Sequence, residues 1–211
     1  MRAFILALSA LLTPLPLAAR DVAGQFDYYV LALSWQPSWC ASTGDDRDAP
    51  ECDPGTGRDF SVHGLWPQYE RGWPDYCNTR ERDPSRRESQ AMADVMGSGG
   101  LAWHQWQKHG RCTGLSAADY YQTTRDALAA IQIPAVFDDL SRDVSVPPPI
   151  IKEAFIEANP DLTRDGITIS CRDDALTEVR ICLTRDLQPR DCAPDARRDC
   201  SRRSILMEQV R

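Results

Sequence analysis

The side chains best suited to proton transfer in this chain are its three histidines, and all three lie in two short motifs. His63 lies in the segment SVHGLWP, and His104 and His109 lie in the segment WHQWQKHGRC, in which Lys108 precedes His109. Imidazole is the side chain that most readily gains or loses a proton near neutral pH. The lysine is also informative, because only Lys108 and Lys152 among the 24 basic residues are lysines. This grouping predicts a catalytic or binding site.

The second motif, taken as a helix, predicts two polar columns. Residues four apart share a helix face, so Gln105 aligns with His109 and His104 aligns with Lys108. His63, which comes near the end of a predicted strand, can complete the site from the opposite side.

Two imidazoles and a lysine fit acid–base chemistry at an RNA phosphodiester. One imidazole takes the proton of the ribose 2′-OH, which attacks phosphorus, and the other protonates the departing 5′-oxygen. The ammonium group of Lys108 stabilises the charge that develops on the phosphorane-like oxygens. Because RNA supplies its own nucleophile, this chemistry needs no metal-bound water, and we predict no cofactor.

Three other interpretations explain the motifs less well. A helical zinc site typically has histidines four apart and a third ligand, whereas His104 and His109 are five apart and point in different directions. Packed or capping histidines would not be expected to cluster beside a lysine. A serine or cysteine nucleophile has no supporting motif, since Gly-x-Ser-x-Gly does not occur.

The N-terminus predicts export. A positive start, an apolar run over residues 3–12 and small residues at 18–19 are typical of a secretory signal peptide over residues 1–19, cleaved near residues 19–23. Residues 20–211 would then form one domain, periplasmic or secreted. No segment is long and apolar enough to span a membrane. We expect a monomer with no membrane association.

The charge balance limits how the chain can bind a polyanion. The net charge is −7, and it becomes about −8 without the signal peptide. A broad basic face is therefore excluded, and any contacts with RNA phosphates must be local. Modest affinity and fast release suit an enzyme better than a stoichiometric binder.

The eight cysteines predict disulfides in an oxidising compartment. A zinc site made of cysteines is disfavoured, because no Cys-x-x-Cys pair occurs. Eight cysteines allow roughly 100 connectivities, so the spacing alone does not choose the pairs.

Hydrophobic periodicity and breakers predict one α+β domain. Strands are expected over 26–35, 59–65, 166–171 and 177–184, and helices over 85–96, 102–109, 116–131 and 150–158. Gly64 and the Trp66-Pro67 pair are expected to end the second strand. The run Pro147-Pro148-Pro149 predicts a rigid linker, and segments 38–58 and 186–203 predict cysteine-bearing loops.

The two motifs resemble the active-site signatures of the ribonuclease T2 family. The strings are HGLWP from His63 and HQWQKHGRC from His104. The strand over 29–35 and the segments 169–171 and 178–182 resemble the family's first and closing core strands. The resemblance covers most of the mature chain. It implies an antiparallel sheet packed with several helices and stapled by disulfides. It also implies a secreted or periplasmic, metal-independent endoribonuclease of low base specificity, a phosphorus–oxygen lyase that leaves 2′,3′-cyclic phosphates on single-stranded RNA.

Site roles follow from the resemblance residue by residue. His63 would be the general acid and His109 the general base, His104 would bind phosphate, and Lys108 would stabilise the transition state. Trp66 would stack on a base, with simple core packing as the alternative. The resemblance also implies the disulfides Cys40–Cys52, Cys77–Cys112, Cys171–Cys200 and Cys182–Cys192.

The chain departs from the family pattern at Gln105, where most members have glutamate. A carboxylate there would raise the pKa of a nearby imidazole, so we expect the pKa of His109 to be lower than a glutamate neighbour would give. Gln68, Leu101 and Ala102 also depart from the family, which leaves base preference at both subsites open. Gln105 alone favours the alternative function, a catalytically silent homologue that binds RNA or protein. The intact histidines and lysine favour an active enzyme.

Overall fold

A computed structural model describes residues 21–138 and 140–211. The predicted signal peptide over residues 1–19 lies outside the described residues, so it stays a prediction. No helix within residues 21–138 and 140–211 is long and apolar enough to cross a membrane.

The strands of the described chain form one six-stranded sheet. They are β1 (Tyr28–Trp35), β2 (Phe60–Gln68), β3 (Val144–Val146), β4 (Ile167–Arg172), β5 (Ala175–Leu183) and β6 (Ile205–Met207). Their order is β2-β1-β5-β6-β3, and β4 pairs with β5 outside this order. The expected α+β class is confirmed. The sheet is mixed rather than purely antiparallel, because the long segment between β5 and β6 returns the chain so that Ala175 and Leu206 pair in parallel.

Two of the strands were not predicted from the sequence. β3 and β6 have three residues each, which is too short for an alternation of apolar and polar residues to be recognised. The prediction for β2 was also wrong at its end, since the strand continues through Gly64 and Pro67 to Gln68. Proline is tolerated there because β2 is an edge strand.

The helices are short, and three of the six named here begin at a serine cap. They are α1 (Gln36–Trp39), α2 (Arg86–Gln90), α3 (Ala93–Met96), α4 (Gly99–Lys108), α5 (Ala117–Ala129) and α6 (Pro148–Ala158). Ser85 and Glu88 form the predicted capping box of α2, and Ser116 caps α5. The single helix expected over 85–96 is split into α2 and α3 by a turn. α4 begins earlier than predicted because Ser98 caps it.

The three consecutive prolines are not a linker. Pro147 is the N-cap of α6, and Pro148 and Pro149 occupy its first turn. The first-turn N–H groups of a helix have no partner within the helix, so proline is tolerated there.

The two faces of β1 face different surroundings. Tyr29, Leu31, Leu33 and Trp35 are buried in the main core together with the apolar sides of the helices. Val30 lies on the other face, in a small cluster with the Cys182–Cys192 disulfide. The alternation of β1 therefore leaves one sheet face for the core and the other for a site.

All eight cysteines are paired in four disulfides, which are the same pairs that the family resemblance implies. They are Cys40–Cys52, Cys77–Cys112, Cys171–Cys200 and Cys182–Cys192. Cys77–Cys112 lies next to the end of α4, where the backbone N–H of Tyr76 also donates to the carbonyl of Lys108 at 2.8 Å. These contacts fix the segment that carries the second histidine motif.

Candidate active site

His63 occupies a β-bulge in β2. Ala32 of β1 pairs with Gly64 and Leu33 pairs with Val62, so His63 is the extra residue that has no partner in β1. A bulge interrupts strict alternation and redirects the side chain of the extra residue. Val62 stays in the main core, while His63 lines an open cleft on the other face.

Gly64 permits close contact between β2 and α4. A Cβ atom at Gly64 would collide with Gln105 Oε1 and Trp66 Nε1. Those two atoms are hydrogen-bonded, with the indole N–H of Trp66 donating to Gln105 at 2.8 Å. Glycine at position 64 thus makes room for a hydrogen bond that fixes the Trp66 ring.

α4 directs the residues of the second motif into three environments. Gln105 is 2% exposed and bound to Trp66, so it lies behind the cleft wall. Lys108 and His109, at the C-terminal end of the helix, line the cleft. His104 is exposed on the helix and does not line the cleft. The predicted helix is present, so Gln105 and His109 share a face, but the side chain of Gln105 points to Trp66.

His109 is held in a buried, positively charged environment. Its side chain stacks on Trp66 with ring centroids 5.3 Å apart. Burial lowers the pKa of His109 to about 3, and the charges of Lys108, His63 and His104 act in the same direction. The Nδ1 atom of His109 is buried and has no hydrogen-bond partner among the described residues. His109 is therefore neutral at physiological pH and able to accept a proton.

A carboxylate and a guanidinium that the sequence did not reveal lie beside His63. Nδ1 of His63 is 2.5 Å from Oε1 of Glu178, and Arg180 binds the other oxygen of Glu178 at 2.6 and 2.8 Å. Arg180 also lies over the Trp66 ring, 5.2 Å from its centroid. Glu178 and Arg180 alternate with buried Val179 on β5, but this ordinary strand pattern gives no sign that they meet His63.

The cleft has a volume of about 1120 Å³ and is locally basic. Its charged lining includes five cationic and three acidic side chains: Arg47, Lys108, Arg172, Arg180, Arg198, Glu51, Glu178 and Asp195. The chain as a whole carries a net charge of −7. Positive charge is therefore concentrated where the histidines are.

Comparison with known proteins decides the family. A family model described as the ribonuclease T2 family matches residues 26–192. The chain belongs to the ribonuclease T2 family. It is 42% identical to a ribonuclease of Aeromonas hydrophila over 129 residues, which are 60% of this chain and 57% of that protein. The chain thus spans little more than half the length of the curated T2 relatives that it matches first.

Solved structures support the same T2 fold. An RNase-related protein from Calystegia sepium superposes with a TM-score of 0.69 at 20% identity, covering 89% of this chain and 99% of that chain. RNase NT, solved in complex with 5′-AMP, gives a TM-score of 0.56 at 23% identity, covering 88% and 98%. At these identities the likeness shows the fold alone.

The structure brings four of the six predicted T2 site residues together in the cleft. They are His63, Trp66, Lys108 and His109. Gln105 supports Trp66 from behind, and His104 lies outside the lining. No group of three or more metal-ligating side chains occurs within the described residues. The roles of the individual residues stay predictions.

Proposed function

We propose that this protein is an endoribonuclease that cleaves single-stranded RNA by transphosphorylation to 2′,3′-cyclic phosphate ends. The observation that carries the proposal is the placement of His63 and His109 around one tryptophan. Each imidazole centroid lies 5.3 Å from the Trp66 ring, within a single cleft. Two imidazoles on separate elements can act on opposite ends of one phosphodiester displacement.

The proposed reaction assigns a proton to each imidazole. Neutral His109 takes the proton of the ribose 2′-OH as the 2′-oxygen bonds to phosphorus. Protonated His63 gives its proton to the 5′-oxygen as the bond from that oxygen to phosphorus breaks. The ammonium group of Lys108, at the end of α4, stabilises the charge on the non-bridging oxygens. The nucleophile, the leaving group and both protons are then accounted for without a metal ion or other cofactor.

Substrate binding would depend on the cleft rather than on the whole surface. The arginines and lysine of the lining supply local phosphate contacts on an acidic protein. His104 would bind a phosphate beyond the cleft edge. The 58%-exposed Trp73 of the lining offers a ring for base stacking, which discriminates little between bases. Trp66, whose ring already contacts His109 and Arg180, would stack on a base through the part of the ring that lines the cleft. This supports low base specificity, and the 5′-AMP complex of RNase NT is consistent with nucleotide binding in the family.

We propose a periplasmic or secreted monomer that acts after removal of residues 1–19. The four disulfides suit an oxidising compartment. The lyase class follows from the cyclic-phosphate product and is proposed with it.

The test is incubation of purified protein with homopolymer RNA in EDTA, followed by analysis of the product ends. We expect cyclic phosphates from the wild type and none from the His63→Ala and His109→Ala variants. Activity that requires an added divalent metal would contradict the proposal.

A catalytically silent RNA- or protein-binding homologue is the second candidate, and Gln105 is the observation that favours it. The uncharged residue replaces the glutamate of most family members. Binding of RNA without cleavage by the wild type, under the same conditions, would establish this alternative.

A further inference from the structure

Glu178 joins β5 to the bulged histidine of β2. It is 8% exposed, and each of its two oxygens has its own partner. Oε1 is 2.5 Å from His63 Nδ1, while Oε2 accepts from two nitrogens of Arg180. We infer that Glu178, held by Arg180, is the positioning residue that orients His63 for proton donation. This inference rests on the proposed ribonuclease function.

The sheet explains how two residues on non-adjacent strands meet. β1 lies between β2 and β5, and its Ser34 pairs with Ser61 on one side and Glu178 on the other. Neighbouring strands are about 4.8 Å apart, so β2 and β5 are separated by roughly 10 Å. Ala32 and Ser34 are small residues at the positions of β1 between the two strands. Long side chains from β2 and β5 can therefore meet above β1.

Glu178 keeps its charge despite its burial. Burial alone favours the neutral acid, but the hydrogen bond with His63 and the charge of Arg180 outweigh it, so the pKa of Glu178 is lowered overall. A buried carboxylate with a partner on each oxygen is fixed in position as well as in charge. It is thus a permanent acceptor for the imidazole.

The contact decides which nitrogen of His63 reaches the substrate. A carboxylate that accepts the Nδ1 proton leaves Nε2 to carry the proton for the 5′-oxygen. When Nε2–H breaks and the oxygen–hydrogen bond forms, His63 becomes the neutral Nδ1–H tautomer, which Glu178 continues to hold. The carboxylate also stabilises the protonated ring before transfer, as in other histidine–carboxylate pairs.

Four of the charged or titratable groups that line the cleft with His63 lie on β5 and at the end of α4. Glu178 and Arg180 lie on β5, and Lys108 and His109 lie at the end of α4. Among these four, Glu178 is the acidic one and is in direct contact. Removal of its charge should therefore shift the alkaline limb of the kcat/KM profile, where the general acid loses its proton, to lower pH.

Two variants separate the charge of Glu178 from its role as acceptor. Glu178→Gln keeps a carbonyl oxygen but removes the charge, and Glu178→Ala removes both. We expect kcat on RNA to fall about 10-fold in the first and about 100-fold in the second, with KM little changed, against about 10²–10⁴-fold for loss of a general acid. The alkaline limb should move to lower pH in both. Glu153→Gln, which removes an exposed ion pair between α6 and Arg164, is the control and should leave kcat unchanged.

A second measurement does not depend on activity. The chain has three histidines, so ¹⁵N spectra of labelled protein can be assigned with single His→Ala variants. At high pH, neutral His63 should carry its proton on Nδ1 in the wild type and shift towards the Nε2–H tautomer in Glu178→Ala. If the wild type cleaves no RNA, the proposed function fails and this spectrum still decides the role of Glu178. If RNA is cleaved but Glu178→Ala keeps the wild-type kcat, pH profile and tautomer, the positioning role is wrong.

Discussion

The two sides of the cleft hold their imidazoles in different environments. On the sheet side, the side chain of His63 is 35% exposed and contacts the carboxylate of Glu178. On the helix side, His109 is 6% exposed and lies near Lys108. The residue four positions before it, Gln105, is uncharged.

This difference supports the proposed division of roles, in which His63 gives a proton and His109 accepts one. A carboxylate partner favours the protonated ring, whereas burial and a neighbouring cation favour the neutral ring. The roles of general acid and base that the family resemblance implies for His63 and His109 stay predictions. Their support lies in β5 and in the burial of the α4 end, and neither appears in the two motifs.

The largest expected effect comes from testing the two imidazoles with two leaving groups. On a dinucleotide, His63→Ala and His109→Ala should each lower kcat by about 10²–10⁴-fold. On uridine 3′-(4-nitrophenyl phosphate), the nitrophenolate leaves without protonation, so His63→Ala should recover to within about 10-fold of the wild type. His109→Ala should stay impaired, because the 2′-OH must still be deprotonated. Equal recovery of both variants would contradict the division of roles.

Lys108 is expected to have the next largest effect, and the chain supplies its own control. Lys108→Met should lower kcat about 10²–10³-fold, the usual loss when one transition-state charge donor is removed. Lys152 is the other lysine, buried in an ion pair with Asp199 at 2.7 Å. Lys152→Met should lower the melting temperature while kcat of the folded protein is retained. A Lys108→Met variant with wild-type kcat would show that Lys108 does not stabilise the transition state.

The burial of His109 predicts a pH-dependent loss of stability. Its pKa is about 3 in the folded protein against an ordinary value of 6.5, so the unfolded chain binds more protons between these values. Stability is therefore lost as the pH falls below about 6.5, by about 2 kcal/mol between neutral pH and pH 5. Urea unfolding of the wild type and of His109→Leu at neutral pH and at pH 5 measures this loss of stability. The His109→Leu variant should lack it. Exposed His104→Leu is the control and should behave as the wild type does.

The sequence predicted the chemistry of the site better than its geometry. Clustering of His63, Lys108 and His109 was visible as motif spacing, and the structure places all three in one cleft. The helix period correctly aligned Gln105 with His109 on one face. It did not reveal that Gln105 points to Trp66, because that contact depends on close packing at Gly64.

The parts that were missed depend on long-range pairing. Glu178 reaches His63 over a separation of 115 residues through the order of strands in the sheet, which local periodicity does not encode. The bulge at His63 was missed for a related reason, since Gly64 next to it was interpreted as the end of the strand. β3 and β6 form because they pair with neighbouring strands, and their own three residues do not predict a strand.

The smallest expected effect comes from placing a carboxylate near His109, as Glu178 already lies near His63. Gln105→Glu places a carboxylate on the same helix face as His109, where the indole N–H of Trp66 can bind it. The new charge should favour protonated His109 and move the acidic limb of the kcat/KM profile upward by about one pH unit. Gln107→Glu adds the same charge to α4 two residues away and should shift the limb less. If the limb does not move in Gln105→Glu, burial and the neighbouring cations set the protonation state of His109, and the uncharged residue at position 105 does not matter to the base.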